Sequence, residues 1–211
     1  LNPPPPPSVL SHLISIYSTP SIFLSSYRSL LSSSLLSDPT FSTDTPLQKL
    51  ELLKLRFGES LKEVGECEVM VKDMDDSRRI NKTVKETIAK SRIANNETSK
   101  PENIANVAII SDHFWPPLST KPGNLHPLLL ADLDEFATEY KVLKAPRKLV
   151  HLPALGTVSL TLALSGVSRT YSTNPLTASV ISHFGDKEAW TAGELAEEMA
   201  VGREEVERRV G

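Results

Sequence analysis

Three aspartates and two arginines follow an apolar run in the stretch that spans residues 67 to 81, CEVMVKDMDDSRRIN. If residues 69–71 formed a strand, it would present Asp73 as a nucleophile and Asp75 as a general acid and base two residues later. The hydroxyl of Ser77 would follow. This order of residues is typical of magnesium-dependent aspartyl phosphatases. The stretch therefore offers one enzymatic hypothesis, in which Asp73 and Asp75 act on a phosphate ester.

The rest of the chain supplies little of what this chemistry needs. A downstream pair of carboxylates would have to hold magnesium, and the candidate Asp186 is followed by Lys187 rather than by a second aspartate. No two of the five histidines have the spacing at which one helix offers two metal ligands, and no serine lies in a nucleophile elbow. The phosphatase is the alternative function. The sequence predicts no catalytic residue, no cofactor and no metal site.

The same acidic stretch has a structural interpretation that requires no reaction. Acids are favoured at a helix N-terminus, which suits Asp75 and Asp76, and Ser77 can cap a helix. Arg78 and Arg79 can pair with acids on a neighbouring element. The predicted junction between two helices comprises Asp73, Asp75, Asp76, Ser77, Arg78 and Arg79.

The bulk composition limits the classes of partner. A chain of 211 residues with 39% apolar residues is long enough to bury a core. Its net charge of −3 comes from interspersed acids and bases, so neither nucleic acid nor a membrane is predicted as a partner. Apolar runs stay well short of the roughly 20 residues that a membrane span needs. Cys67 is the only cysteine, which excludes an internal disulfide and a Cys-rich zinc site made by this chain alone.

The N-terminal half carries apolar residues at helical spacing. Residues 1–11 are proline-rich and predict an extended linker. Residues 12–95 predict part of a helical bundle, with two short helices broken at Pro20 and a third from about Pro46 to Gly58. Further helical segments are expected on both sides of the acidic stretch.

The composition changes in the second half. Short apolar runs at 107–110, 148–152 and 158–164 predict strands of a small sheet. A helical pattern over 128–143 lies between them. Residues 101–173 are therefore predicted to form a small α/β domain.

Residues 174–211 carry three compact helical signals in the spacing of a helix-turn-helix, with Thr191 as an N-cap. DNA binding is disfavoured because the last helix, REEVERRV, mixes acids with arginines and so cancels attraction to phosphate. The unit is expected to have a packing role. The predicted fold class is α+β and mostly helical, with a partial helical bundle, a small α/β sheet domain and a terminal three-helix unit.

Five blocks in a fixed order carry a resemblance that covers residues 12–211. They are ELLKLRFGES at 51–60, CEVMVKDMDDSRRIN at 67–81, FWPPL at 114–118, RKLVHLPALGTVSL at 147–160 and WTAGELAEEM at 190–199. With these blocks the chain resembles the cullin homology region. The weight of the resemblance lies in their order, since each block alone is a weak signal.

The resemblance implies a non-catalytic scaffold in a multi-subunit, cullin-RING-type ubiquitin ligase of the cell cycle, located in the nucleus and cytoplasm. In the family, a small zinc-binding RING subunit inserts its N-terminal strand into the sheet of the α/β domain. The RING subunit recruits the ubiquitin-conjugating enzyme, which supplies the catalytic cysteine. The implied partners are the RING subunit, other subunits of the complex and, indirectly, the conjugating enzyme.

A small sheet with open edges independently favours a partner strand, because exposed edges are liabilities unless they are covered. By position, the resemblance assigns the receiving surface to Val107, Ile109, Ser111, Trp115, Leu149, His151, Val158, Leu160 and Leu162. The alternative for each of these residues is a place in the hydrophobic core. The resemblance also implies that the terminal unit, 174–211, is winged-helix-like and truncated.

Overall fold

The computed structural model describes residues 20–58, 61–95, 105–118, 123–164 and 166–210, so the predicted linker and the helix expected before Pro20 lie outside it. The described residues form seven α-helices and a two-stranded antiparallel sheet. The elements are α1 (Pro20–Ser37), α2 (Asp44–Phe57), α3 (Lys62–Ala94), α4 (Pro127–Lys144), β1 (Val158–Leu164), β2 (Val167–Thr173), α5 (Pro175–Asp186), α6 (Ala192–Glu198) and α7 (Arg203–Val210). The predicted α+β class with a helical majority is confirmed. Among these helices, none has the length and apolar character needed to cross a membrane.

Local signals explain where several helices begin. Proline lacks an N–H group and is tolerated in the first turn, which is where Pro127 and Pro175 stand in α4 and α5. Asn174 caps α5 by accepting the N–H of Thr177. The prediction that Thr191 caps a helix is confirmed, because its hydroxyl accepts the N–H of Glu194 in a capping box.

The acidic stretch lies inside one continuous helix, α3, which has 33 residues. The prediction of a junction between two helices is therefore wrong. α3 contains no proline, and its one glycine, Gly65, lies far from the aspartates. Ser77 does not cap a helix, because it stands mid-helix and donates its hydroxyl to the carbonyl of Asp73 at 2.7 Å.

The chain divides into two compact units, and the first comprises residues 1–79 with 107–117. Its core consists of apolar side chains that recur at helical spacing along α1, α2 and the first half of α3. They include Leu24, Leu31, Leu35, Leu50, Leu53, Val64, Met70 and Met74. Cys67 belongs to this core with 0% exposure, and burial raises the pKa of its thiol to about 11.

The second unit comprises residues 80–106 with 118–211. Its core is formed by side chains of α5, α6 and α7 and of the segment before α4. The buried members are Leu125, Leu176, Val180, Leu195, Ala196, Met199 and Val206. Gly123 allows a close approach here, since a Cβ at this position would lie 2.7 Å from Cδ2 of Leu176.

The sheet is smaller than predicted. β1 matches the expected strand at 158–164, and β2 is an additional strand that pairs with it from Val158↔Thr173 to Leu164↔Val167. The strands predicted at 107–110 and 148–152 are wrong, because neither segment forms a strand. In the first, groups on α3 satisfy part of the backbone, as described below. In the second, Val150 is 85% exposed and has no burial to favour a strand.

The compact units are divided differently from the predicted domains. The sequence placed boundaries near residues 95–101 and 173, whereas the units divide within α3, at Arg79 and Ile80, and around residues 107–117. Compact units need not coincide with domains, so the predicted domain ranges remain a prediction.

Candidate functional site

Asp73, a candidate nucleophile in the sequence, accepts hydrogen bonds on both of its carboxylate oxygens. Its Oδ2 accepts the indole N–H of Trp115 at 2.8 Å and the backbone N–H of Ser111 at 2.8 Å. Its Oδ1 accepts the hydroxyl of Ser111 at 3.0 Å. Residues 69–71 belong to a helix, so the strand that would present Asp73 as a nucleophile does not form, and both carboxylate oxygens are bound within the protein. The aspartyl phosphatase hypothesis is therefore wrong.

Ser77, one turn further along α3, binds the same extended segment. Its fully buried hydroxyl accepts the N–H of Ile109 at 2.8 Å and lies 3.1 Å from the carbonyl of that residue. Ala108 and Ile110 pack against the core of the first unit. Residues 107–110, predicted as a strand, thus have backbone groups that pair with a side chain of α3. In a strand, these groups would pair with a neighbouring strand.

Arg28 fixes the end of this segment from α1. Its Nε and Nη2 donate to the carbonyl of Phe114 at 3.2 and 2.7 Å, and its Nη1 lies 2.8 Å from Oε2 of Glu66. Together, Arg28, Asp73 and Ser77 hold residues 109–115 in place. We call this arrangement the Asp73 cluster.

The other charged residues of the acidic stretch pair with one another on the surface of α3. Nη2 of Arg78 lies 2.5 Å from Asp75, and Nη2 of Arg79 lies 2.9 and 2.6 Å from Asp75 and Asp76. These are i,i+3 and i,i+4 pairs within one helix, which contribute little each when exposed. The sequence predicts that Arg78 and Arg79 pair with acids on a neighbouring element. In these ion pairs, both arginines bind acids of their own helix instead.

The hairpin formed by β1 and β2 has two different faces. Val158, Leu160 and Leu162 are half-buried and share one face, where Leu160 stands opposite Tyr171. The other face is rich in hydroxyl groups, with Oγ1 of Thr161 and Oγ1 of Thr170 3.0 Å apart. The alternation expected for a strand with one apolar face is thus present in β1.

The outer edges of the hairpin have no strand partner in the part of the chain that the structure describes. β2 is exposed along nearly its whole length, including Val167 and Tyr171, which are 55% and 46% exposed. A hairpin that is not packed into a larger sheet is only marginally stable in water. Within the described ranges, therefore, both edges of the hairpin lack a partner strand and its apolar face is only partly covered.

Only three residues of the predicted strand-receiving surface lie in a strand, namely Val158, Leu160 and Leu162. The remaining six do not: Val107, Ile109, Ser111 and Trp115 belong to the first unit, and Leu149 and His151 lie in an irregular segment of the second. Trp115 is a core residue, 4% exposed, whose indole binds Asp73. Trp115 is predicted to pack beside the strands of the sheet, but it lies in the core of the first unit instead.

A second polar arrangement, which the sequence did not suggest, lies in the second unit. His126 precedes α4, and Nε2 of its ring lies 2.8 Å from Oδ2 of Asp186 at the end of α5. His183 stands one turn before Asp186, and its ring lies edge-on to that of His126 with centroids 4.6 Å apart. Both histidines are buried, at 3% and 5% exposure. Because they are far apart in sequence, no spacing rule could have paired them.

The surroundings of His183 favour the neutral form of its ring. Burial lowers its pKa, and the neighbouring His126 lowers it further, against the opposing effects of Glu198 and Asp186. Trp190 closes the arrangement by donating its indole N–H to the carbonyl of His183 at 2.8 Å. We call His126, His183 and Asp186 the histidine cluster.

Known proteins provide the remaining observation. No family model matches the chain. Anaphase-promoting complex subunit 2 of Mus musculus is 37% identical to it over 188 residues, which are 89% of this chain and 22% of that protein. The corresponding values are 32% over 203 residues for subunit 2 of Arabidopsis thaliana (96% and 23%) and 31% over 202 residues for that of Schizosaccharomyces pombe (96% and 28%).

The chain is therefore similar, over nearly its whole length, to one region of anaphase-promoting complex subunit 2. Subunit 2 of that complex is cullin-like, so the resemblance predicted from the five sequence blocks is confirmed. The chain spans about a quarter of the length of these subunit 2 relatives. The matched part includes both the Asp73 cluster and most of the second unit, because the alignments cover 89 to 96% of the chain.

Proposed function

We propose that this chain is part of the scaffold subunit of the anaphase-promoting complex, a ubiquitin ligase of the cell cycle. The observation that carries this proposal is the similarity to subunit 2 of that complex in an animal, a plant and a yeast over nearly the whole chain. As a scaffold, the chain takes no direct part in bond-making. The RING subunit and the ubiquitin-conjugating enzyme supply catalysis, and the chain works with other subunits of the complex in the nucleus and cytoplasm.

The hairpin is the surface on which the RING subunit binds. Strand addition needs an unpaired edge for main-chain hydrogen bonds and alternate pockets for side chains. β1 and β2 offer open edges, and the half-buried Val158, Leu160 and Leu162 alternate with small polar residues. The N-terminal strand of the RING subunit extends this hairpin into a larger sheet and covers its exposed apolar side chains. The conjugating enzyme is then held indirectly.

Co-expression of the chain with the RING subunit of the anaphase-promoting complex tests this proposal. We expect co-purification with the complete RING subunit and none after deletion of its N-terminal strand. Leu162→Lys, on the apolar face, is expected to reduce capture at least tenfold. Ala163→Lys, the neighbouring exposed residue on the hydroxyl-rich face, is the matched control and should retain capture.

Circular dichroism of each variant establishes that the chain is folded. Capture that persists without the N-terminal strand would place RING binding outside the hairpin while preserving the scaffold function. A folded chain that captures no RING subunit would contradict both the assignment of the hairpin and the RING-binding function of this region.

A further inference from the structure

The histidine cluster brings three potential metal ligands to one point of the second unit. One ring nitrogen of His126, one of His183 and a carboxylate oxygen of Asp186 all lie within 4.8 Å of one another. We propose that His126, His183 and Asp186 bind a divalent transition-metal ion of the zinc type, with water completing the coordination. The proposal is independent of the scaffold function.

The donor set suits such an ion. Imidazole nitrogen and carboxylate oxygen are ordinary zinc ligands, with bonds of about 2 Å that place tetrahedral ligand atoms about 3.4 Å apart. The present separations are 2.8 Å from His126 to Asp186 and 3.8 Å from His183 to Asp186, so small side-chain shifts suffice. Packing fixes the two buried histidines, whereas Asp186 is 59% exposed and leaves the site open to ions and water.

His183 offers the second imidazole ligand. Its side chain is 6% exposed, and Nδ1 of its ring lies 3.8 Å from Oδ2 of Asp186, which is too long for a hydrogen bond. An ion between these two atoms could bind both with bonds of about 2 Å. Neutral imidazole is also the form that binds metals.

The tautomer of His126 sets a condition on binding. Without metal, its Nδ1 accepts the N–H of Leu128 at 3.2 Å and caps α4, so Nε2 carries the proton that is donated to Asp186. Coordination through Nε2 requires this proton to move to Nδ1, which ends the hydrogen bond from Leu128. Metal binding and helix capping therefore compete for one imidazole, and the competition distinguishes this site from adventitious binding.

Calorimetric titration of the 211-residue chain with Zn²⁺, and visible absorption with Co²⁺, test the proposal. We expect one ion per chain and at least tenfold weaker binding in His126→Asn and Asp186→Asn. Asparagine is a favoured N-cap, so His126→Asn removes the ligand while preserving an acceptor for α4. His151→Asn, which changes a histidine outside the cluster, is the matched control and should bind zinc like the unmodified chain.

Thermal unfolding gives a second readout. Zinc should raise the melting temperature of the unmodified chain and of His151→Asn, and leave that of His126→Asn unchanged. Equal binding by the unmodified chain and His126→Asn would identify an adventitious ion only and overturn the proposal. Absence of stoichiometric binding to the folded chain would overturn it as well.

Discussion

The Asp73 cluster and the β1–β2 hairpin use their hydrogen-bonding groups in opposite ways. Asp73 accepts three hydrogen bonds from within the first unit, and Ser77 and Arg28 bind the same segment. The hairpin keeps two edges without a strand partner among the described residues. A region rich in charged side chains is thus internally satisfied, whereas a region of ordinary apolar and hydroxyl residues has unused capacity. A partner is therefore expected to bind the hairpin edges, where backbone groups have no strand partner in the described part of the chain, rather than the Asp73 cluster.

The comparison predicts that Asp73 contributes mainly to stability. Asp73→Ala would leave the indole N–H of Trp115 and two donors of Ser111 without their acceptor, so we expect a loss of about 3 kcal/mol in the free energy of unfolding. Asp73→Asn keeps one acceptor oxygen and should cost about half as much. Urea denaturation measures both. Asp76→Ala, on the surface of the same helix, is the control and should change stability by less than about 0.5 kcal/mol.

Ser77 should show the same behaviour with a smaller effect. Ser77→Ala removes the acceptor for the N–H of Ile109 in a fully buried position, so a loss of about 1–2 kcal/mol is expected. Ser33→Ala should leave stability almost unchanged. It removes an exposed hydroxyl of α1 that donates a hydrogen bond to the carbonyl of Ser29 in the same helix. Equal effects of the two serine substitutions in urea denaturation would show that the Asp73 cluster does not depend on Ser77.

The hairpin should respond little in stability and strongly in dynamics. Tyr171→Ala is expected to cost less than about 1 kcal/mol because Tyr171 is half exposed. Hydrogen exchange of amides in 158–173 should be orders of magnitude faster than in the first half of α3, since an uncovered hairpin opens easily. Addition of the RING subunit should slow exchange in the hairpin alone. Slow exchange without a partner would remove the contrast between the two regions.

Glu194 accepts three hydrogen bonds from side chains or backbone, as Asp73 does, but it is exposed. It therefore shows how much exposure reduces the contribution of such bonds to stability. Its carboxylate accepts the N–H and hydroxyl of Thr191 and an N–H of Lys187, and these bonds lower its pKa from 4.5 to about 2. Because the folded pKa is depressed, the stabilisation is present above pH 4.5 and is lost as the pH falls toward 2. The stability difference between the unmodified chain and Glu194→Gln should therefore shrink over this range. A difference that stays constant with pH would contradict the assigned contacts. The effect should be the smallest of the four, since this carboxylate is exposed.

Periodicity made most of the helices predictable, and local chemistry accounts for the errors. The helix from Pro46 to Gly58 and the cap at Thr191 were recognisable because the signals lie within a few residues. The acidic stretch predicts a junction because Asp and Ser favour helix starts, yet the side-chain oxygens of Asp73 and Ser77 bind a segment more than 30 residues away in sequence. Such a contact leaves no mark in local spacing.

The same reasoning explains the errors in the sheet and the candidate sites. The run at 107–110 has the composition of a strand, but its backbone is bound by a helix. β2, VSRTYST, was missed because it is polar and exposed, although Gly166 with φ of 80° suits the tight turn that precedes it. The histidine cluster joins the N-cap residue of α4 to two residues of α5, so only the folded chain brings its members together.

Cys67 gives the molecule a practical property. Its thiol is fully buried and, with a pKa near 11, stays protonated and unreactive toward maleimides at neutral pH. A cysteine introduced at the exposed Thr161 would therefore be the one reactive thiol of the folded chain. A fluorophore or spin label placed there would follow a partner strand as it joins the hairpin, without any prior replacement of the native cysteine.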